Sequence, residues 1–301
     1  MRYYGRMEKT EKTFGDCHVH LAMDGVNYAR AMERHAAGPD EVHIRACLEA
    51  YRVRGVTFLR DGGDAFGVSR AAARLAPEYG IDYRTPIFAI HKKGHYGSIV
   101  GRAFRDMREY AELVDEAARE GADFIKVMTT GIMDFNVYGR ITHTDLEARE
   151  VREMVRIAHG HGLAVMSHTN GKRAVLDAVE AGVDSIEHGN YIDAECVEAL
   201  AQSRTCFVPT ATVARNLIGR SAFDKAVLAR IWEASCNAIA AAVEAGCLVA
   251  CGSDAGAVGV PHGQGALDEY ACFAAAIPDA PRRDAALASG EAFIRETFRR
   301  A

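Results

Sequence analysis

Residues 164–170, Ala164-Val165-Met166-Ser167-His168-Thr169-Asn170, form a short apolar run that ends in polar groups, and residues 185–190, Ser185-Ile186-Glu187-His188-Gly189-Asn190, form another. About 20 residues separate their starts, roughly the least that a strand, a short loop and a three-turn helix occupy. Gly182 lies between them, where the C-terminal cap of a helix belongs. The stretch reads as strand, helix, strand. The same reading extends outward to runs at 15–21, 56–63, 84–90, 123–131, 206–212 and 248–254, which makes eight. Between them, 41–54 keeps Val42, Ala46, Leu48 and Val53 near one face. Residues 105–119 do the same with Met107, Tyr110, Leu113, Val114 and Ala117. Thr144 and Glu147 have the spacing of a capping box that opens a helix through Ile157 and Ala158. Gly121, Gly162 and Gly246 repeat the position of Gly182. Eight strands alternating with helices predict an α/β fold, a (β/α)8 TIM barrel. A doubly wound sheet is the alternative, but eight units exceed its usual need and no Gly-x-Gly-x-x-Gly follows the first strand.

Composition narrows the function classes. With 301 residues the chain can bury a large core without staples. Its 49% hydrophobic and 26% charged residues exclude a disordered or collagen-like protein. Thirty-six basic against 41 acidic residues give a net charge of -5, so no basic footprint for nucleic acid exists. None of the eight cysteines forms a Cys-x-x-Cys pair, and they read as small buried hydrophobes in a reducing compartment. Residues 1–13 are a polar N-terminal extension without the apolar core of a signal peptide. No apolar run approaches ~18 residues, so no membrane span is expected. The reading is a cytoplasmic protein with one domain over 14–301.

The chemistry sits at the ends of the runs. Asp16-Cys17-His18-Val19-His20 turns His18 and His20 to one strand face, where two imidazoles can grip one metal ion. Asp16 shares that face as a partner of the histidines or a buried hydrogen-bonding group. Phe124-Ile125-Lys126-Val127-Met128 places a lysine inside an apolar strand, which is costly unless it is paired or neutral. An ion pair, a Schiff base or a carbamate bridging metals would each account for it. His168, His188 and Asp254 close three further runs. Five of eight strands thus carry His, Lys or Asp at one level, where such a barrel places its chemistry. Arg60 reads as a structural partner of Asp61 or of a neighbouring strand.

The set His18-x-His20, Lys126, His168, His188 and Asp254 resembles the binuclear metal-dependent amidohydrolase superfamily, closest to its prolidase-like and imidazolonepropionase-like members. The stretches 121–126, 181–189, 252–256, 56–63 and 261–263 are similar to that group, and the match covers nearly all of 14–264. The resemblance implies two divalent metal ions. His18, His20 and Asp254 would hold one, His168 and His188 the other, with carbamylated Lys126 bridging. Zinc suits these ligands, though manganese, iron or nickel stay open. It further implies a metal-bridging hydroxide with Asp254 as general base, cleaving an amide, cyclic amide or related C–N bond of a small molecule. A deaminase, lactonase or phosphoester hydrolase of the same superfamily is the alternative, and a non-catalytic metal-binding barrel the remote one. Two departures stand out. The small β-sandwich common among relatives is expected to be absent, which leaves a homo-oligomer open. Thr169-Asn170-Gly171 replaces the aromatic or imidazole group that often touches substrate there. Candidate substrate contacts are His95, Tyr96, Arg140 and Asn170.

Overall fold

The computed structural model describes residues 14–220 and 222–300, so the expected N-terminal extension lies outside the described residues. Its strands are β1 (Asp16–Val19), β2 (Phe58–Asp61), β3 (Asp82–Arg84), β4 (Ala89–Lys92), β5 (Gly101–Phe104), β6 (Ile125–Met128), β7 (Val165–Thr169), β8 (Ser185–His188) and β9 (Cys206–Val208). The α-helices are α1 (Tyr28–Arg34), α2 (Glu41–Arg52), α3 (Val68–Leu75), α4 (Met107–Glu120), α5 (Ala148–Gly160), α6 (Lys172–Ala181), α7 (Ala194–Ala201), α8 (Thr212–Leu217), α9 (Lys225–Glu244), α10 (Gln264–Ala276) and α11 (Ala280–Thr297). All named strand pairs are parallel, in the orders β1-β2-β3 and β5-β4-β6-β7-β8-β9. This is a parallel-sheet α/β fold, consistent with a TIM-barrel-like arrangement.

Two of the eight expected runs behave differently from the rest. The run at 84–90 is split between β3 and β4, because Pro86 offers no N–H and Ile87 takes a left-handed φ of +68°. The first half pairs with β2 and the second with β6. The run at 248–254 forms isolated bridges instead of a ladder. Its hydrogen bonds nevertheless reach both sides: Phe207 N–H donates to Leu248 O at 2.8 Å, and Cys17 N–H to Cys251 O at 2.8 Å. That places Asp254 beside β1. β5 had no counterpart in the expected strands; it is a four-residue edge strand with little apolar character.

The helix signals hold in most places. Gly121 closes α4 at φ +90°, a conformation that strains any residue with a Cβ. The helix expected to open at Thr144 opens later, with Glu147 as N-cap and its N–H 3.4 Å from the Glu150 carboxylate. Thr144 instead offers its carbonyl to the His95 ring at 2.8 Å. Among the described residues, α9 is the one helix long and apolar enough to cross a membrane by length and composition, although Arg230 and Glu233 interrupt its apolar run. Its buried Leu228, Ile231, Ser235, Ile239 and Ala242 recur at three- and four-residue steps, giving a single packed stripe against α7, α8 and α10.

Strand alternation divides the core. Ile125 and Val127 pack outward with helix residues, whereas Phe124 packs inward with Phe58, Met166, Cys206 and Val208. Ile294 of α11 and Phe298 just beyond it close this inner cluster. Arg60 is fully buried above it, its guanidinium 4.4 Å from the Phe298 ring centre. It pairs with Glu187 on β8 at 2.8 Å and donates to Cys17 O on the neighbouring β1 at 2.7 Å, so of the two expected partners it is the neighbouring strand and not Asp61 that takes it. Asp61 accepts instead from the Leu21 and Gly63 N–H groups. Removing one member of such a pair strands the other charge in the core. Arg60→Ala is therefore expected to lower unfolding free energy by about 3–5 kcal/mol, measured by urea denaturation.

Candidate metal centre

His18 and His20 are buried side by side, with their Nε2 atoms 3.3 Å apart. Asp254 Oδ1 lies 3.6 Å from each of those nitrogens. Asp254 reaches this point because its backbone is left-handed, at φ +58°, and its N–H donates to His18 O at 2.8 Å. Asp16 steadies the same segment, accepting from Ser253 N–H at 2.8 Å and Ser253 Oγ at 2.6 Å. Gly62 faces the His20 ring so closely that a Cβ there would stand 2.2 Å from it.

The orientation of His18 is set from behind. Its Nδ1 is 2.7 Å from a Glu187 carboxylate oxygen, which only accepts. Nδ1 thus carries the proton, and the Nε2 lone pair is turned towards His20 and Asp254. Glu187 is held in turn by Arg60. No role was read for Glu187 in the sequence, although a carboxylate inside an apolar strand is the same signal as Lys126.

His188 follows Glu187 directly, and adjacent strand side chains normally face opposite ways. Its φ of +70° breaks the alternation. Its ring centre lies 5.0 Å from that of His18 and 4.5 Å from that of His168. Thr210 Oγ1 bonds His188 Nδ1 at 2.7 Å, leaving Nε2 unengaged. His168 uses Nε2 towards Gly131 O at 3.0 Å, which leaves Nδ1. All four rings are held neutral by burial: His20 and His168 are each pushed down to about 3, and His18 and His188 well below the usual value. Neutral imidazole is the form that binds a metal.

Lys126 is fully buried, and its Nζ has no hydrogen-bond partner. Burial lowers its pKa to about 8, with the Arg60 charge acting in the same direction and the carboxylates of Glu187 and Asp254 opposing. His20, Lys126, His168, His188 and Asp254 together form the polar floor of a cavity of about 390 Å³. Its walls are apolar, including Met133, Phe135, Val213, Leu217, Phe223 and Val258. An orphaned buried amine beside neutral imidazoles and a carboxylate fits a pair of divalent cations.

The expected substrate contacts divide. Tyr96 and Asn170 line the cavity, the Tyr96 ring 4.9 Å from that of His168. Asn170 spends its side chain on Gly131 O and Asn190. His95 and Arg140 are outside the lining: His95 is tied to Thr144 O, and Arg140 is exposed and paired with Asp134. Their loops carry no periodicity from which a direction could be read.

The sequence pattern of the amidohydrolase family matches residues 13–280. The chain belongs to this amidohydrolase family. Family members generally use divalent metals, and the cluster of His18, His20 and Asp254 is a group able to hold one. Ochratoxinase of Aspergillus niger is 24% identical over 290 residues, covering 84% of this chain and 58% of the relative. The chain thus spans a little over half the length of that curated relative. Among solved structures, a Xaa-Pro dipeptidase superposes with a TM-score of 0.76 at 22% identity, covering 94% of this chain and 75% of that one. The ochratoxinase structure gives 0.70 at 23%, covering 91% and 70%. These likenesses show a shared fold.

The chain has a second cluster, His43, Cys47 and His262, whose donor atoms lie close enough for a metal. Arg34 donates to His43 Nδ1 at 3.1 Å, so the neutral ring carries its proton on Nε2, 3.5 Å from Cys47 Sγ. His262 Nε2 faces Met23 O at 2.8 Å and its Nδ1 faces Tyr51 Oη at 3.3 Å. The cluster is satisfied by hydrogen bonds, and a cation would have to face the Arg34 guanidinium across the His43 ring.

Proposed function

We propose that this chain is a metal-dependent hydrolase that cleaves an amide or related C–N bond of a small molecule. The observation that carries the reading is the unpartnered Lys126 amine on the same cavity floor as three histidines and Asp254. His18, His20 and Asp254 would hold one divalent cation and His168 and His188 a second. Lys126 would join the two after its neutral amine attacks carbon dioxide and loses a proton, leaving a carbamate with two donor oxygens. Its lowered pKa favours the neutral amine that this step needs.

Two divalent cations, when bound, lower the pKa of a water and polarise a carbonyl. The remaining work belongs to the protein. Asp254 accepts the proton of the attacking water and passes it to the leaving nitrogen. Glu187 holds the His18 proton on Nδ1, and Thr210 fixes the His188 ring. The apolar walls exclude bulk water. In this reading β1, β2, β3 joined with β4, β6, β7, β8, β9 and residues 248–254 are the eight strands of one barrel, with β5 outside it and the site at the C-terminal ends of the strands. Zinc suits the ligands, and a cytoplasmic location is in keeping with eight free cysteines.

The test is a panel of amides, lactones and phosphoesters given to protein loaded with zinc or manganese. Amine release that chelation abolishes and added metal restores is the expected result. Turnover confined to lactones or phosphoesters, or unaffected by chelation, would refute the reading.

A further inference from the structure

We infer that the substrate is an uncharged amide bearing a bulky apolar or aromatic group, and that the Tyr28 hydroxyl takes a second polar group on it. This rests on the amide-hydrolase reading and adds the substrate class. Tyr28, on the first turn of α1, lines the cavity, and its Oη is buried without a hydrogen-bond partner. A buried hydroxyl left unpaired is costly, and a ligand acceptor would satisfy it. The side chains of Asn170, Asn190 and Thr210, also in the lining, already bond to protein.

Charge separates this cavity from one built for free amino acids or dipeptides. Among the described residues that line it there is no arginine, and no lysine besides Lys126 on the floor. Three arginines of the surrounding segments are engaged elsewhere. Arg140 pairs with Asp134, Arg215 lies 3.8 Å from Asp268, and Arg230 sits 3.8 Å from the Tyr138 ring centre. A carboxylate on the outer part of a substrate would lose its water against Met133, Phe135 and Phe223 with no counter-charge. An aryl or alkyl group would gain from the same walls.

The experiment compares two probes of matched shape, N-benzyl-4-nitrobenzamide and 4-(benzylcarbamoyl)benzoate, on the metal-loaded full chain. Binding is read by calorimetry and benzylamine release by chromatography. The neutral probe is expected to bind at least about tenfold more tightly. Val258→Arg, at a rim position 37% exposed, is expected to narrow that gap by improving the charged probe. Tyr28→Phe is expected to weaken the nitro probe about fivefold while leaving N-benzylbenzamide, which lacks the second acceptor, unchanged. Equal or tighter binding of the charged probe, or binding of neither, overturns the substrate class. An unchanged Tyr28→Phe variant overturns the role of that hydroxyl. Preferential binding of the neutral probe without benzylamine release, alongside turnover of lactones or phosphoesters, would leave the uncharged pocket standing and remove the amide reading.

Discussion

Lys126→Ala is expected to reduce bound metal from about two ions per chain to one or fewer, and kcat/KM by about a thousandfold or more. The side chain is fully buried, and no other described residue bonds its Nζ. No other amine lines the cavity among the described residues, so in the proposed reading Lys126 alone would join the two cations. Stability should move differently. In the metal-free protein the variant loses an amine that is desolvated and unpaired, so its unfolding midpoint should stay level or rise. A purely structural lysine would give the opposite pattern, with lost stability and unchanged metal content. Elemental analysis, steady-state kinetics and thermal unfolding of the metal-free variant separate the two.

Asp254→Asn should lower kcat by about 10²–10⁴-fold with a much smaller effect on KM. The amide has the shape of the carboxylate but cannot accept a proton. Folding should survive, because asparagine tolerates the left-handed backbone that Asp254 adopts at φ +58°. The main-chain bond from residue 254 to His18 O is untouched by the substitution. A loss of similar size in kcat/KM with unchanged kcat would place Asp254 in substrate binding instead of proton transfer.

The parts of the site legible in the sequence are those where a polar residue interrupts an apolar run at a constant level. His18, His20, Lys126, His168, His188 and Asp254 all satisfy that rule, and the structure brings five of them to one cavity floor, with His18 Nε2 3.3 Å from His20 Nε2. Glu187 satisfied it as well, yet its value lies in two contacts with distant strands, the His18 ring and Arg60. Such pairings are set by register and strand order, which runs of residues do not encode. The split of the third strand was written in Pro86, whose missing N–H ends a ladder.

Loops were the limit. His95 and Arg140 lie near the expected place in the chain but turn to Thr144 O and Asp134. Tyr28, Phe135 and Phe223 come from three separate segments and meet only in the folded wall. No periodicity governs those segments, so their directions follow from local turns and packing. The helix α5 shows the same limit on a small scale, opening at Glu147 and not at Thr144, whose carbonyl meets the His95 ring.

The most direct test of the two-cation centre is anomalous diffraction from crystals of the metal-loaded protein, collected at the absorption edge of the added metal. The account predicts two peaks about 3.5–4 Å apart, one among His18, His20 and Asp254 and one beside His168 and His188, with density for a carbamate on Lys126 between them. A single peak beside a bare Lys126 amine, or no peak on this cavity floor, would contradict it.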